Sequence, residues 1–138
     1  MLRRFKITRI NVVPVEELHY THLVAEYREL PRVFTLARNA QRDILGGRKK
    51  LPAEWTLGTG HVTFYFNKLG YCNNRYRQLV QEMQKRGYKP NAIPLEELTV
   101  GIDKKLLGDY IPTKEALLEN RQRISLRLKE ATQRKSKD

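Results

Sequence analysis

The chain has 138 residues, with 27 Lys+Arg against 15 Asp+Glu, a formal net charge of +12 and a pI near 10.0. That length suits one domain and leaves too little chain for two comfortable ones. The positive excess points to a polyanion, nucleic acid ahead of an acidic membrane surface, because no apolar run reaches spanning length. The single cysteine, Cys72, excludes an internal disulfide and a thiolate metal cluster, and it reads as a small buried apolar residue suited to a reducing cytoplasm. The start, "MLRRFKI", is basic but lacks the apolar stretch of a signal peptide, so no export is expected.

Residues 1–15 read as irregular, since the strand character of "ITRINVVPV" is stopped by Pro14. "VEELHYTHLVAEYREL" reads as a helix opened by acidic residues in its first turn, with Leu23, Tyr27, Leu30 and Phe34 as its buried stripe. Pro31 lacks a backbone donor and clashes one turn back, so a kink is expected there, with the helix continuing through "RVFTLARNAQRDI". "GGRKKLP" is a basic turn. "GTGHV" at Gly58–Val62 is a tight turn, because it has neither the strand nor the lysine of a phosphate loop. A second helix is expected over Gly60–Arg86, holding Val62, Phe64, Tyr65, Leu69, Leu79, Val80 and Met83 and stopped by the glycine of "KRGY". "KPNAIP" is loop, and "LEELTVGIDKKLLGDYIP" is a short helix followed by irregular chain. The last helix, "TKEALLENRQRISLRLKEATQ", has Thr113 as its N-cap, and "RKSKD" is expected to fray. The fold class is all-α: a compact single domain of about three main helices with long irregular connections, the first helix kinked at Pro31.

The polar residues of the first helix offer chemistry. At about 100° per residue, His22, Glu26 and Glu29 are set opposite the apolar stripe, with Arg28 and Arg32 beside them. Such residues could meet one substrate. Glu and Arg at this spacing are also common solvated pairs worth about 0.2–0.5 kcal/mol, and a lone histidine more often packs or caps. The last helix carries Arg121, Arg123, Arg127 and Lys129. Arg123 and Arg127, four apart, share a face suited either to a phosphate backbone or to plain solvent. His19, His22 and His61 have no acidic or cysteine cluster to complete a metal site, and no dinucleotide fingerprint is present, so neither metal nor cofactor is expected.

"TRIN" at Thr8–Asn11, "HLVAEYRELPRVF" at His22–Phe34, "LGTGHVTFYFNKL" at Leu57–Leu69, "KRGY" at Lys85–Tyr88 and "GDYIP" at Gly108–Pro112 fall in the order of one family. Over roughly Thr8 to Arg127 the chain resembles the phage-type pyrimidine-dimer DNA glycosylases with AP-lyase activity, the dimer-specific endonuclease V. The resemblance implies repair of ultraviolet-damaged duplex DNA containing cyclobutane pyrimidine dimers or abasic sites. It implies attack of an N-terminal threonine amine on C1′ of the 5′ nucleotide of the dimer, an imine, and β-elimination at the abasic sugar, without metal or cofactor. It implies Thr8 as nucleophile, through its α-amine, and Glu29 as the catalytic carboxylate. It assigns DNA contacts to Arg9, His22, Arg28, Arg32 and Arg123, and to Arg127, which stands where the family has lysine. A monomer acting on nucleoid or host-cell DNA in the cytoplasm is the corresponding expectation. Thr21 departs from the family's frequent glutamine, and the tail lacks the aromatics of the best-known phage member.

Seven residues precede Thr8, and a nitrogen inside a peptide bond is not a useful nucleophile. The expected division is therefore an N-terminal extension over 1–7 that is absent from the mature protein, a glycosylase/AP-lyase domain over 8–132 and a basic tail over 133–138. A start at position 7 with initiator Met trimmed, or proteolysis, would free the Thr8 amine. A retained extension would leave another amine, of Lys6 or Met1, to serve, or would leave a non-catalytic protein of the same fold that binds damaged DNA. An RNA-binding protein ranks behind both, because most aromatics occupy apolar helical positions.

Overall fold

The computed structural model describes residues 9–137, with the side chains of residues 9–134. Helix α1 spans Tyr20–Leu45, 26 residues. Leu23, Leu30, Val33, Phe34 and Ala37 recur along it at helical spacing and are all buried. The expected stripe thus packs as read, with Tyr27 partly buried against it. The helix runs without a break through Pro31. Core contacts at Leu30 on one side and Val33 and Phe34 on the other hold it there against the lost backbone bond.

α1 starts later than its acidic run suggests. Val15–Glu17 forms a separate 3-10 turn, and Leu18 is extended. The Leu18 side chain is buried, which takes the chain off a helical path. His19 then caps α1, its Nδ1 accepting from the Thr21 amide.

The expected second helix is also divided. Thr63–Asn67 is a 3-10 turn, and α2 proper spans Leu69–Lys85. Phe64, Tyr65 and Phe66 are consecutive and all buried. No single face of an α-helix can bury three successive side chains, and the tighter turn lets them spread through the core. α2 stops at a glycine, as read: Gly87 has φ 94°, and the Tyr88 amide donates to the Met83 carbonyl at 2.9 Å.

Leu95–Thr99 is the short helix α3, and Arg38 of α1 holds its end by donating to the Leu98 and Val100 carbonyls, each at 2.7 Å. The chain then crosses the start of α2 at Gly108. A Cβ on Gly108 would lie 2.5 Å from the Asn67 carbonyl oxygen, so only glycine allows the crossing. Helix α4, Lys114–Lys137, is capped by the Thr113 hydroxyl, which accepts from the Ala116 amide at 3.0 Å. It continues through Lys137 into the segment expected to fray, a run with no Gly or Pro to end it. The architecture is all-α, and no strand occurs among the described residues.

Residues 10–13 explain their strand-like composition differently. Ile10, Asn11, Val12 and Val13 are all buried, yet no neighbouring strand satisfies their backbone. Side chains do so instead: the Ile10 amide donates to His61 Nε2 at 2.9 Å, and the Val12 and Val13 amides donate to Asn120 Oδ1 at 2.7 and 3.2 Å.

One polar network ties this segment to three helices. Asn120 of α4 donates to Asn11 at 2.9 Å, and Asn11 donates to Glu26 of α1 at 2.9 Å. Arg75 of α2 grips Glu26 through Nε at 2.8 Å and Nη2 at 3.1 Å, and its Nη1 donates to the Val13 carbonyl. All four side chains are buried. Glu26 therefore does not share the exposed polar stripe where sequence reading set it. It lies about 60° from Leu23 and about 40° from Leu30 at helical spacing, close enough to the apolar stripe to face inward.

Removing the carboxylate leaves Arg75 charged and unpaired in the interior. Glu26→Gln should cost about 3–5 kcal/mol by urea denaturation, whereas Glu29→Gln should stay within about 0.5 kcal/mol. Equal stability of the two variants would remove the network from its structural role.

Candidate nucleic-acid interface and active site

Arg9 leaves the buried segment and donates from Nη1 to the Leu57 carbonyl at 2.9 Å. Its guanidinium pKa is lowered, first by burial and then by the charges of Arg123 and Arg127 on α4. His22, in the first turn of α1, is half-buried. Its pKa is also lowered, by burial first, then by His19 and Arg127, with Glu26 opposing. Its Nδ1 is buried without a hydrogen-bond partner among the described residues. Arg9, His22, Arg123 and Arg127 therefore form one electrostatic neighbourhood, assembled from the N-terminal segment, α1 and α4. The cations in it repel one another, and a polyanion would relieve that repulsion.

The remaining expected residues are distributed along α1. Glu29 lies seven residues beyond His22, two turns on and on the same flank, and is half-buried. Arg32, three residues further, neighbours it on the helix surface and is exposed. Arg28, four residues before Arg32 and about 40° from it at helical spacing, is exposed beside it. Its charge acts on Tyr27, whose ring stacks on Tyr76 with centroids 5.6 Å apart. The structure thus gathers four of the six expected DNA contacts and sets Glu29, Arg32 and Arg28 along the adjoining surface of α1. Thr8, the expected nucleophile, and the extension before it lie outside the described residues. Arg121 does not join the basic cluster, since it is paired with Glu17 in two hydrogen bonds of 3.0 and 2.9 Å.

The residues that position this site escaped sequence reading. Asn11, Glu26, Arg75 and Asn120 carry no local motif, and only the wheel angle of Glu26 signalled its burial. His61 sits in "GTGHV", which is a turn as expected, but its histidine is a brace. Its Nδ1 donates to the Thr56 carbonyl at 2.7 Å, while Nε2 accepts from Ile10. Burial pushes its pKa down to about 4, with Arg9 adding to the shift against the Thr56 hydrogen bond. Cys72 is buried and its thiol pKa raised by burial, as suits a packing residue. Among the described residues there is no group of three or more His, Cys, Asp or Glu able to hold a metal ion, and no helix is long and apolar enough to cross a membrane.

Taken with the helical fold, a basic cluster without an ion-pair partner among the described residues, beside a carboxylate-bearing helix flank, is suited to a polyanion. The pyrimidine dimer DNA glycosylase family model matches residues 5–93, and the chain belongs to that family. Its role is DNA repair, and its substrate is DNA. The match covers the N-terminal segment, α1 and α2. Arg123 and Arg127 lie beyond it, and their place beside Arg9 comes from the fold.

His61 sets an acid limit on this arrangement. Its folded pKa lies below the unfolded value, so the unfolded chain binds the proton first. The stabilisation is complete above about pH 6.5 and is lost as pH falls toward about 4. The stability difference between the parent and His61→Ala should shrink by about 3 kcal/mol over that window in urea titrations. A difference that holds constant with pH would refute the brace.

Proposed function

We propose that this protein excises cyclobutane pyrimidine dimers through a free N-terminal amine and then cleaves the strand as an AP lyase. The supporting observation is the burial of residues 10–13 under the Asn11–Glu26–Arg75–Asn120 network. This network fixes Arg9, the residue bonded to Thr8, beside the basic cluster.

The neutral α-amine of Thr8 attacks C1′ of the 5′ nucleotide of the dimer. The C1′–N1 bond breaks and its electron pair leaves with the pyrimidine. Loss of a proton from the nitrogen and opening of the sugar ring give the imine. Removal of a C2′ proton then expels the 3′ phosphate, and water releases the sugar from the amine. Glu29 stabilises the positive charge that develops at the sugar and carries protons between these steps. Arg9, His22, Arg28, Arg32, Arg123 and Arg127 hold phosphates around the lesion. An α-amine with a pKa of roughly 7.7–8.0 is partly neutral near pH 7, which an amide nitrogen inside "MLRRFKIT" could not match.

The test compares chains starting at Met1 and at Thr8, each incubated with dimer-containing duplex and borohydride. Covalent trapping by the Thr8 form alone is expected. Trapping by neither form, with tight and selective binding, would support the reading of a non-catalytic binder instead. Glu29→Gln in the Thr8 form should lose strand cleavage by at least roughly 100-fold, the scale of general acid–base catalysis, and keep most of its DNA affinity. Cleavage at the parental rate would remove Glu29 from the mechanism. Arg123→Ala and Arg127→Ala should each flatten the salt dependence of binding by about one unit of slope. An unchanged slope in both would move the DNA surface elsewhere.

A further inference from the structure

Tyr20, the first residue of α1, leaves half of its side chain in solvent, at 53% exposure. It does not hang free. Its ring packs on the His19 ring, with centroids 4.8 Å apart and planes tilted by 37°. His19 is itself fixed as the helix cap, with Nδ1 2.9 Å from the Thr21 hydroxyl and accepting from the Thr21 amide. The His19 ring meets His22 edge-on at 6.5 Å, and His22 feels the charge of Arg127. An exposed, pre-oriented aromatic pair thus stands at the edge of the basic cluster. Phe34, Phe64, Tyr65, Phe66 and Tyr76 are buried, and Tyr88, the other exposed large aromatic among the described residues, follows the end of α2 with no ring contact to hold it.

We propose that the His19–Tyr20 pair is a stacking platform for a nucleobase exposed where the duplex opens at the lesion. A group that must reach C1′ within a duplex has to break base stacking there, at a cost of a few kcal/mol. An aromatic face beside the phosphate-binding cations offsets that cost, because base–aromatic stacking contributes about 1–3 kcal/mol and accepts any base. Two rings already packed together lose little conformational freedom when a third plane joins them. Intact duplex exposes no base face and gains nothing from the platform, so the pair favours damaged over undamaged DNA. The platform rests on the DNA interface proposed above.

The test measures the affinity of Tyr20→Ala and Tyr20→Phe for a duplex with one cyclobutane thymine dimer and for the same duplex undamaged. Tyr20→Ala should weaken binding to damaged duplex by roughly 5- to 100-fold and leave undamaged binding within about twofold. Tyr20→Phe should bind like the parent, since it keeps the ring. With 2-aminopurine opposite the dimer and then beside it, the parent complex should be dimmer than the Tyr20→Ala complex at one position, because stacking quenches the probe. Equal losses on both duplexes, no loss, or Tyr20→Phe failing as badly as alanine would overturn the platform. Arg123→Ala and Arg127→Ala run alongside. If they alter the salt slope while Tyr20→Ala does nothing, the platform alone fails. If they also do nothing, the interface beneath it fails.

Discussion

The Glu26–Arg75 ion pair is the constraint on which the arrangement depends. Both side chains are almost fully buried, at 0 and 3% side-chain exposure, in a chain whose core is modest. A buried pair of this kind contributes little net stability compared with apolar residues of the same volume. It does impose geometry. The guanidinium and carboxylate must meet in two hydrogen bonds, and their remaining capacity must be met as well. Asn11 meets part of it for Glu26, and the Val13 carbonyl meets part of it for Arg75. The N-terminal segment is thereby the partner that completes the pair. A register shift of one residue in that segment would unsatisfy several buried groups together. Hydrophobic burial of Ile10 and Val13 alone would tolerate such a slip much more easily.

Much of the fold was legible because apolar spacing is a local signal. Leu23, Leu30 and Phe34 identified α1, Gly87 its partner's end, and Thr113 the start of α4. Errors arose where tertiary contacts overrode local preference. Leu18 leaves the helix because it is drawn into the core. The three aromatics from Phe64 to Phe66 tighten their turn for the same reason. Residues 12 and 13 are irregular as read, although their valines have strand character, because Pro14 cuts the run short. Here Asn120, more than a hundred residues away in sequence, supplies the bonds that a neighbouring strand would have made. Nothing local marks that asparagine.

The candidate site divides along the same line. Charged residues in the motif "AEYRELPRVF" were readable as a group, but their directions were not. One carboxylate, Glu26, turns inward to build the scaffold, while Glu29, one turn on, remains on the flank with His22. The two are chemically identical, and only the angle about the helix axis distinguishes their tasks. Arg123 and Arg127 were visible as a pair on one face. Their convergence on Arg9 required knowing how α4 crosses the N-terminal segment, which Asn120 determines.

The charges therefore separate into two kinds by partnership. Arg75 and Arg121 are satisfied by carboxylates, one buried and one at the surface, and both hold elements together. Arg9 instead is strained by burial first, and then by the charges of Arg123 and Arg127. A cluster of this kind destabilises the free protein slightly, and that energy is recovered when phosphates enter. The rigid interior makes such an arrangement tolerable. Because His61, Asn120 and the ion pair fix the segment behind Arg9, its backbone cannot shift away from α4 to relieve the repulsion. At the proposed DNA interface, repulsion held in place by a satisfied core would favour a bound polyanion.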